Sequence, residues 1–249
     1  MKRLPLALIL GLLVSTAPAM ATDLTAMSDG ERDAFRAEVR QYLLDNPEVL
    51  MEAIAILDQK QAQAAVQADQ QLATDNADAI MNDGFSYIGG NPDGDITVVE
   101  FMDYRCGYCK RAFPEVEQLL GSDGNIRFVI KEFPILGDQS TLAARFAIAV
   151  QQVAGNDAYK LVHDTLMGLR SDITAETLTD VATTFGLDPA PIIAQMDSAE
   201  VTAVLQANMQ LAQTLQITGT PTFVIEDQMV RGYVPLDQMQ AIVAEQRAD

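Results

Sequence analysis

Apolar residues recur along this chain with two periods, and the changes between them mark out its elements. From Ser28 the spacing is helical, with Phe35, Val39, Tyr42 and Leu43 on one stripe. Ser28 followed three residues later by Glu31 is a capping box, so a helix is predicted to begin there and to end near Asp45-Asn46-Pro47. Asn46 is placed to cap a second helix, with Pro47 at a first position that needs no N–H. That helix carries Val49, Leu50, Ala53, Ile54 and Leu57, then passes into Gln- and Ala-rich sequence over 59–71, where the stripe fades. Two readings follow. Either the segment is a stalk whose stripe packs against copies of itself, or it is a helical hairpin folded back on the rest of the chain.

Asn82-Asp83-Gly84 and Gly89-Gly90-Asn91-Pro92-Asp93-Gly94 mark turns and a boundary, so a second domain is expected from near Phe85. Ile96 to Phe101 reads as a buried strand, and Cys106 to Leu120 as a helix that Pro114 should kink. Gly121 to Asn125 reads as a turn and Ile126 to Lys131 as a second strand. Strand, helix, strand implies a parallel pair with a right-handed crossover. From Gln139 to about Gln216 the spacing is helical almost throughout, with stripes such as Leu142, Ala143, Phe146, Val150 and Tyr159, Val162, Leu166, Met167. The chain then returns to sheet: Thr218 to Ile225, a turn at Glu226-Asp227-Gln228, and Met229 to Tyr233 form a hairpin. A last helix is predicted over Leu236 to Gln246. The expected class is α/β, with a helical block over 139–216 inserted in a domain formed by 85–138 and 217–249, after an N-terminal helical segment over 22–84.

The first residues stand outside this pattern. Lys2 and Arg3 precede an apolar run from Leu4 to Val14, and Ala19-Met20-Ala21 offers small residues at a cleavage site, which predicts a secretory signal over 1–21. The run is short for a membrane span, and no later stretch is long and apolar enough for one. The expected mature chain is therefore exported and soluble. Removing the signal takes two cations and no acid, so the formal charge goes from −19 to about −21, with 14 basic against 35 acidic residues. Such acidity argues against nucleic acid and anionic membranes as partners.

Export changes the meaning of the only two cysteines, Cys106 and Cys109. In an oxidising compartment such a pair is a structural bridge or a redox centre. A chain this long buries a sizeable core without a staple, and so short a loop gains little from closure. Zinc would need further ligands, but there is no second cysteine pair and His163 is remote in sequence. The layout of strand, turn, Cys-x-x-Cys and helix sets the first thiol at a helix N-terminus, where free N–H groups favour a thiolate. Cys106 is then the expected nucleophile and Cys109 the buried, protonated thiol that resolves the mixed disulfide. Gly107 and Tyr108 between them set the redox poise. No histidine lies there, which predicts a less oxidising couple than a His-containing motif gives.

Three stretches taken together, Phe101 to Cys109, Phe133-Pro134-Ile135-Leu136-Gly137 and Gly219-Thr220-Pro221-Thr222-Phe223, resemble the DsbA-like branch of the thioredoxin superfamily from about residue 92 onward. Tyr42-Leu43-Leu44-Asp45-Asn46-Pro47-Glu48-Val49 looks like the oligomerisation segment of ScsC-type proteins of that branch, which are periplasmic, often trimeric and linked to copper tolerance. Gly107-Tyr108 is the dipeptide of DsbC-type isomerases and differs from the Pro-His of DsbA oxidases. The resemblance implies a thioredoxin-like fold and a periplasmic disulfide oxidoreductase with no cofactor. Its implied partners are exported protein thiols and disulfides, a membrane protein that resets the cysteines, and copies of itself in an oligomer such as a trimer. It also implies a cis Thr220-Pro221 bond opposite the cysteines, with Thr220 offering backbone groups to a bound peptide. Glu100 would be a buried acid beneath Cys109 that relays protons. Thr220, Pro221, Gly107 and Tyr108 form the expected substrate-binding set.

The leading expectation is an oligomeric isomerase or reductase. The alternatives are a monomeric DsbA-like oxidase and a Cu(I)-binding copper-tolerance protein that uses the two thiolates as soft ligands. The eleven methionines form no Met-x-x-Met cluster, so they lend copper no support, and no metal site is assigned. His163, within a helical stripe, is expected to pack and not to catalyse.

Overall fold

A computed structural model of the chain describes residues 26–248. The secretory signal read over 1–21 lies outside the described residues. The chain divides into two compact units, Met1–Lys60 and Gln61–Asp249.

In the first unit, α1 runs Asp29–Asp45 and α2, Glu48–Asp75, begins. The capping box forms: Ser28 accepts from Glu31 N–H, and the Glu31 carboxylate accepts from Ser28 N–H at 2.9 Å. Asn46 does something other than the sequence suggests. Its side-chain amide donates backward to Tyr42 O at 2.9 Å, so it closes α1 instead of capping α2. A carbonyl left free at a helix end accepts whichever donor is in reach. No residue of α1 is buried, and the stripe residues Phe35, Val39, Tyr42, Leu50, Ile54 and Leu57 are all exposed.

The second unit is built on a five-stranded sheet in the order β1-β3-β2-β4-β5. Its strands are β1 Tyr87–Gly90, β2 Ile96–Met102, β3 Ile126–Glu132, β4 Thr222–Ile225 and β5 Gln228–Arg231. Strands β2 and β3 are parallel, joined by α4 (Gly107–Asp123), and the other pairings are antiparallel. Helix α4 continues through Pro114. Five helices separate β3 from β4: α5 Asp138–Ala154, α6 Asn156–Gly168, α7 Ala175–Thr184, α8 Pro189–Met196 and α9 Ala199–Thr214. The hairpin β4–β5 leads to α10, Leu236–Gln246.

Alternation along β2 divides the core in two. Ile96, Val98 and Met102 pack with α4, α5, α6 and α10 on one face. Val99 and Phe101 pack with Ile80, Phe133, Ala212 and Leu215 on the other. Strand β1 and the short α3 (Ala77–Met81) go beyond what the sequence predicts. Gly89-Gly90 reads as a turn, yet it ends a strand. Gly90 has φ +62, and a Cβ there would collide with Ile126 O, so only glycine lets β1 lie this close beside β3.

Two contacts fix the last turns of α2 and the loop after α3 within this unit. Arg231 makes a bidentate pair with Asp69, at 2.7 and 3.0 Å. Lys131, fully buried, pairs with Asp83 and donates to Ala79 O at 3.0 Å.

Candidate active site

The residue before α4 is Cys106, whose extended backbone (φ −73, ψ 116) makes it the helix N-cap. Its sulfur accepts the Cys109 N–H at 3.3 Å. On its other side the thiol donates to Thr220 O at 3.1 Å, a contact that spans 114 residues of sequence. Thr220 closely precedes β4, and its bond to Pro221 is cis. Both cysteines are free thiols: Cys106 keeps 5% of its surface and Cys109 none. Gly107 and Tyr108 complete the first turn. Beyond its chain neighbours and its own helix backbone, no atom lies within 4 Å of where a Gly107 side chain would start, and Tyr108 is exposed.

This geometry drives the two thiols apart in acidity. The Cys106 thiol is brought down to about 5, chiefly by the hydrogen bond with Cys109, with smaller help from the Thr220 side chain and the Cys109 and Tyr108 N–H groups against the cost of burial. Cys109 is pushed far above the ordinary thiol range by burial, by its bond to Cys106 and by the Glu100 charge. At neutral pH one sulfur is ionised and its neighbour is not.

Glu100 lies on the same face of β2 as Val98 and Met102, with Ile130 and Phe223 as its register neighbours. It is 2% exposed, and its Oε1 has no hydrogen-bond partner among the described residues. Burial, then the Cys106 charge, raises it to about 8.

Sequence reasoning misses the residue that shapes the active-site turn. Asp103 is buried and accepts three backbone N–H bonds: from Arg105 at 2.7 Å, Ile135 at 2.8 Å and Leu136 at 3.0 Å. Its own carbonyl accepts the Cys106 N–H at 3.0 Å. It thereby ties the Cys106 turn to the Phe133–Gly137 stretch, and no spacing rule announces such an acceptor.

A second buried cluster lies beside it. Glu132 Oε1 accepts from Tyr104 at 2.8 Å and Tyr159 at 2.7 Å, and Tyr104 meets His163 Nδ1 at 3.1 Å. Burial raises Glu132 to about 8 and lowers His163 to about 3. His163 is therefore a neutral packing residue. Among the described residues no group of three His, Cys, Asp or Glu is disposed to hold a metal ion. A soft cation would have the two sulfurs as ligands here.

Comparison with known proteins agrees with this arrangement. The DSBA-like thioredoxin domain family matches residues 97–244, and the Copper resistance protein ScsC N-terminal domain matches residues 31–64. Disulfide bond formation protein D of Bacillus subtilis is 25% identical over 166 residues, 62% of this chain and 73% of that protein. The first curated relatives, Na(+)/H(+) antiporters of Salinispora species, are far longer, and the chain spans about a quarter of their length (24%). No helix among the described residues is long and apolar enough to cross a membrane.

Among solved structures, a thioredoxin-like oxidoreductase from Silicibacter pomeroyi is 42% identical, covering 69% of this chain and 98% of that one, with a TM-score of 0.65. Proteus mirabilis ScsC in a transitional conformation is 30% identical, covering 89% of this chain and 99% of that one, also with a TM-score of 0.65.

Proposed function

The chain belongs to the DSBA-like thioredoxin domain family of thiol–disulfide oxidoreductases and carries an ScsC N-terminal domain, and from that premise we propose that it is a periplasmic disulfide isomerase or reductase acting as a homo-oligomer through Cys106 and Cys109. One observation carries the reading: the Cys106 sulfur accepts the helix N–H of Cys109 at 3.3 Å while Cys109 itself is sealed and protonated.

The chemistry follows from that asymmetry. The Cys106 thiolate attacks one sulfur of a substrate disulfide. That S–S bond breaks, the other substrate sulfur leaves as a thiolate, and a mixed disulfide remains. Cys109 then gives its proton to Glu100 and attacks the Cys106 sulfur. The second substrate sulfur departs, and two electrons have passed from the pair to the substrate. In isomerisation a substrate thiolate makes the second attack instead, and Cys106 is returned unchanged.

Glu100 has a built-in timing in this scheme. Its raised pKa comes from burial first and the Cys106 charge second. Once Cys106 is bound in a mixed disulfide that charge is gone, so Glu100 ionises more readily when Cys109 needs a base. Thr220 and Pro221, with Gly107 and Tyr108 on the opposite side, form the substrate-binding rim in this reading.

The exposed stripe of α1 and early α2 supports the oligomer. In proteins most helical stability comes from packing an apolar face, and contact with other copies would cover Phe35, Val39, Leu50 and Ile54. We assign 22–84 to the oligomerisation segment, 85–138 with 217–249 to the thioredoxin-like domain and 139–216 to its helical insertion. The division between compact units, Lys60–Gln61, falls inside the first of these. Several thiolates around one assembly suit a misbridged substrate that must be held through successive exchanges. A membrane partner that returns the pair to the dithiol completes the cycle, and the predicted signal supports the periplasm.

Scrambled ribonuclease separates the alternatives. An oligomeric isomerase restores its activity and runs above monomer mass by light scattering. A monomer that oxidises reduced ribonuclease but leaves the scrambled form inactive overturns the proposal.

A further inference from the structure

The chain is acidic, yet the surface beside its nucleophile is not. Arg105 adjoins Cys106, and its Nη1 donates to Ser171 O at 3.3 Å, so the side chain lies along the loop that follows α6. Lys110 adjoins Cys109 and reaches the same loop, donating Nζ to the carbonyl oxygens of Leu166, at 3.5 Å, and Leu169. Arg170, exposed, stands in that loop between Leu169 and Ser171. The three sense one another: Lys110 is held below its ordinary range by partial burial, then by the charges of Arg105 and Arg170.

None of the three makes an ion pair among the described residues, whereas Lys131, Lys160, Arg231 and Arg247 each pair with an acid. Asp103 and Asp172 are the acids next to the rim in sequence, and neither makes an ion pair with its cations. Asp103 is buried and takes three backbone N–H groups, and Asp172 accepts from Gln139 at 3.3 Å, so three cations stand against two carboxylates. On the far side of Tyr108 the situation differs. Arg111 sits 4.3 Å over the Tyr233 ring, and Tyr233 donates to Glu115, which offsets that cation. The excess of cations is therefore on one side of Cys106.

We propose that Arg105, Lys110 and Arg170 form a selectivity rim that favours disulfides flanked by Asp or Glu, in extended polypeptide segments docked at Cys106. This rests on the exchange reading above and leaves its bond changes untouched. The rim's local sign outweighs the charge of the whole. At physiological ionic strength the screening length is about 8 Å, so distant acids are largely masked from a peptide at Cys106 while neighbouring cations are not. The net charge of −19 by itself predicts the reverse, a preference for basic peptides.

The test uses three synthetic peptides, each with one intramolecular disulfide, flanked by Asp-Asp, Ser-Ser or Lys-Lys, and the reduced full-length protein at physiological salt. All three meet the same thiolate, so any effect of the rim on Cys106 acidity cancels in the ratio of rates. The expected result is that the Asp peptide reacts roughly tenfold faster than the Lys peptide. That ratio should fall toward one in an Arg105→Gln/Arg170→Gln double variant. It should fall likewise in about 1 M salt with the unaltered protein, which keeps the test open if the variant misfolds. Equal rates, or faster reaction of the Lys peptide, overturn the rim alone. No reaction with any of the three overturns the exchange reading, and the rim with it.

Discussion

At the scale of single residues, the account depends on two thiols one helical turn apart having opposite acidity. Titration of the reduced protein by thiolate absorbance should show Cys106 ionising near pH 5, well below an ordinary thiol. A midpoint above about 8, the ordinary thiol range, would remove the helix-start argument. Glu100 gives a second prediction. Its folded-state pKa is raised to about 8, so between its ordinary value and 8 the folded protein holds a proton that the unfolded chain has lost. Its contribution is fully present at low pH and is lost as pH rises through 8. Glu100→Gln should therefore gain stability relative to the reduced parent as pH goes from about 5 to about 8, by on the order of a few kcal/mol. Denaturant unfolding at the two pH values checks this, and a gap independent of pH contradicts it. The same variant, having lost the proton acceptor, should resolve a mixed disulfide at least roughly tenfold more slowly at neutral pH.

At the scale of elements, Asp103 joins two loops that function requires together. Asp103→Ala leaves three part-buried N–H groups without their acceptor, a loss of about 1–3 kcal/mol in all, since water can replace part of what is lost. Chemical denaturation would register it, and a change within about 0.5 kcal/mol would mean the loops hold themselves. In the N-terminal helices the expectation runs through exposed apolar residues. Ile54→Lys with Leu57→Lys should lower the solution mass to that of a monomer, since both side chains lie on a stripe with nothing buried beneath it. An unchanged mass would place association elsewhere.

The elements show unevenly what a sequence reveals. Strand β2, helix α4 and the β4–β5 hairpin announce themselves through apolar period, Cys-x-x-Cys and Thr-Pro, and α10 matches its expected bounds of Leu236 to Gln246. Strand β1 is hidden because Gly89-Gly90 carries turn chemistry, while its actual constraint, the backbone of Ile126, is remote in sequence. Asn46 is ambiguous because one amide can serve either helix, and only geometry decides. Glu100 is legible as a buried strand acid through resemblance. Asp103 and the Glu132–Tyr104–Tyr159–His163 cluster are not, since their partners are brought together only by the closed fold.

At the scale of the whole molecule, acidity and chemistry are separate matters. A formal charge of −19 weakens contact with anionic surfaces, but the thiolate answers to its first few ångströms: an N–H at 3.3 Å and three cations along one side. The most direct measurement is covalent trapping. Incubating Cys109→Ala with a model disulfide and recording the intact mass should give a stable adduct on Cys106 from about pH 6 upward, and Cys106→Ala should give none. Trapping on Cys109 instead, or no adduct on either variant, would contradict the account.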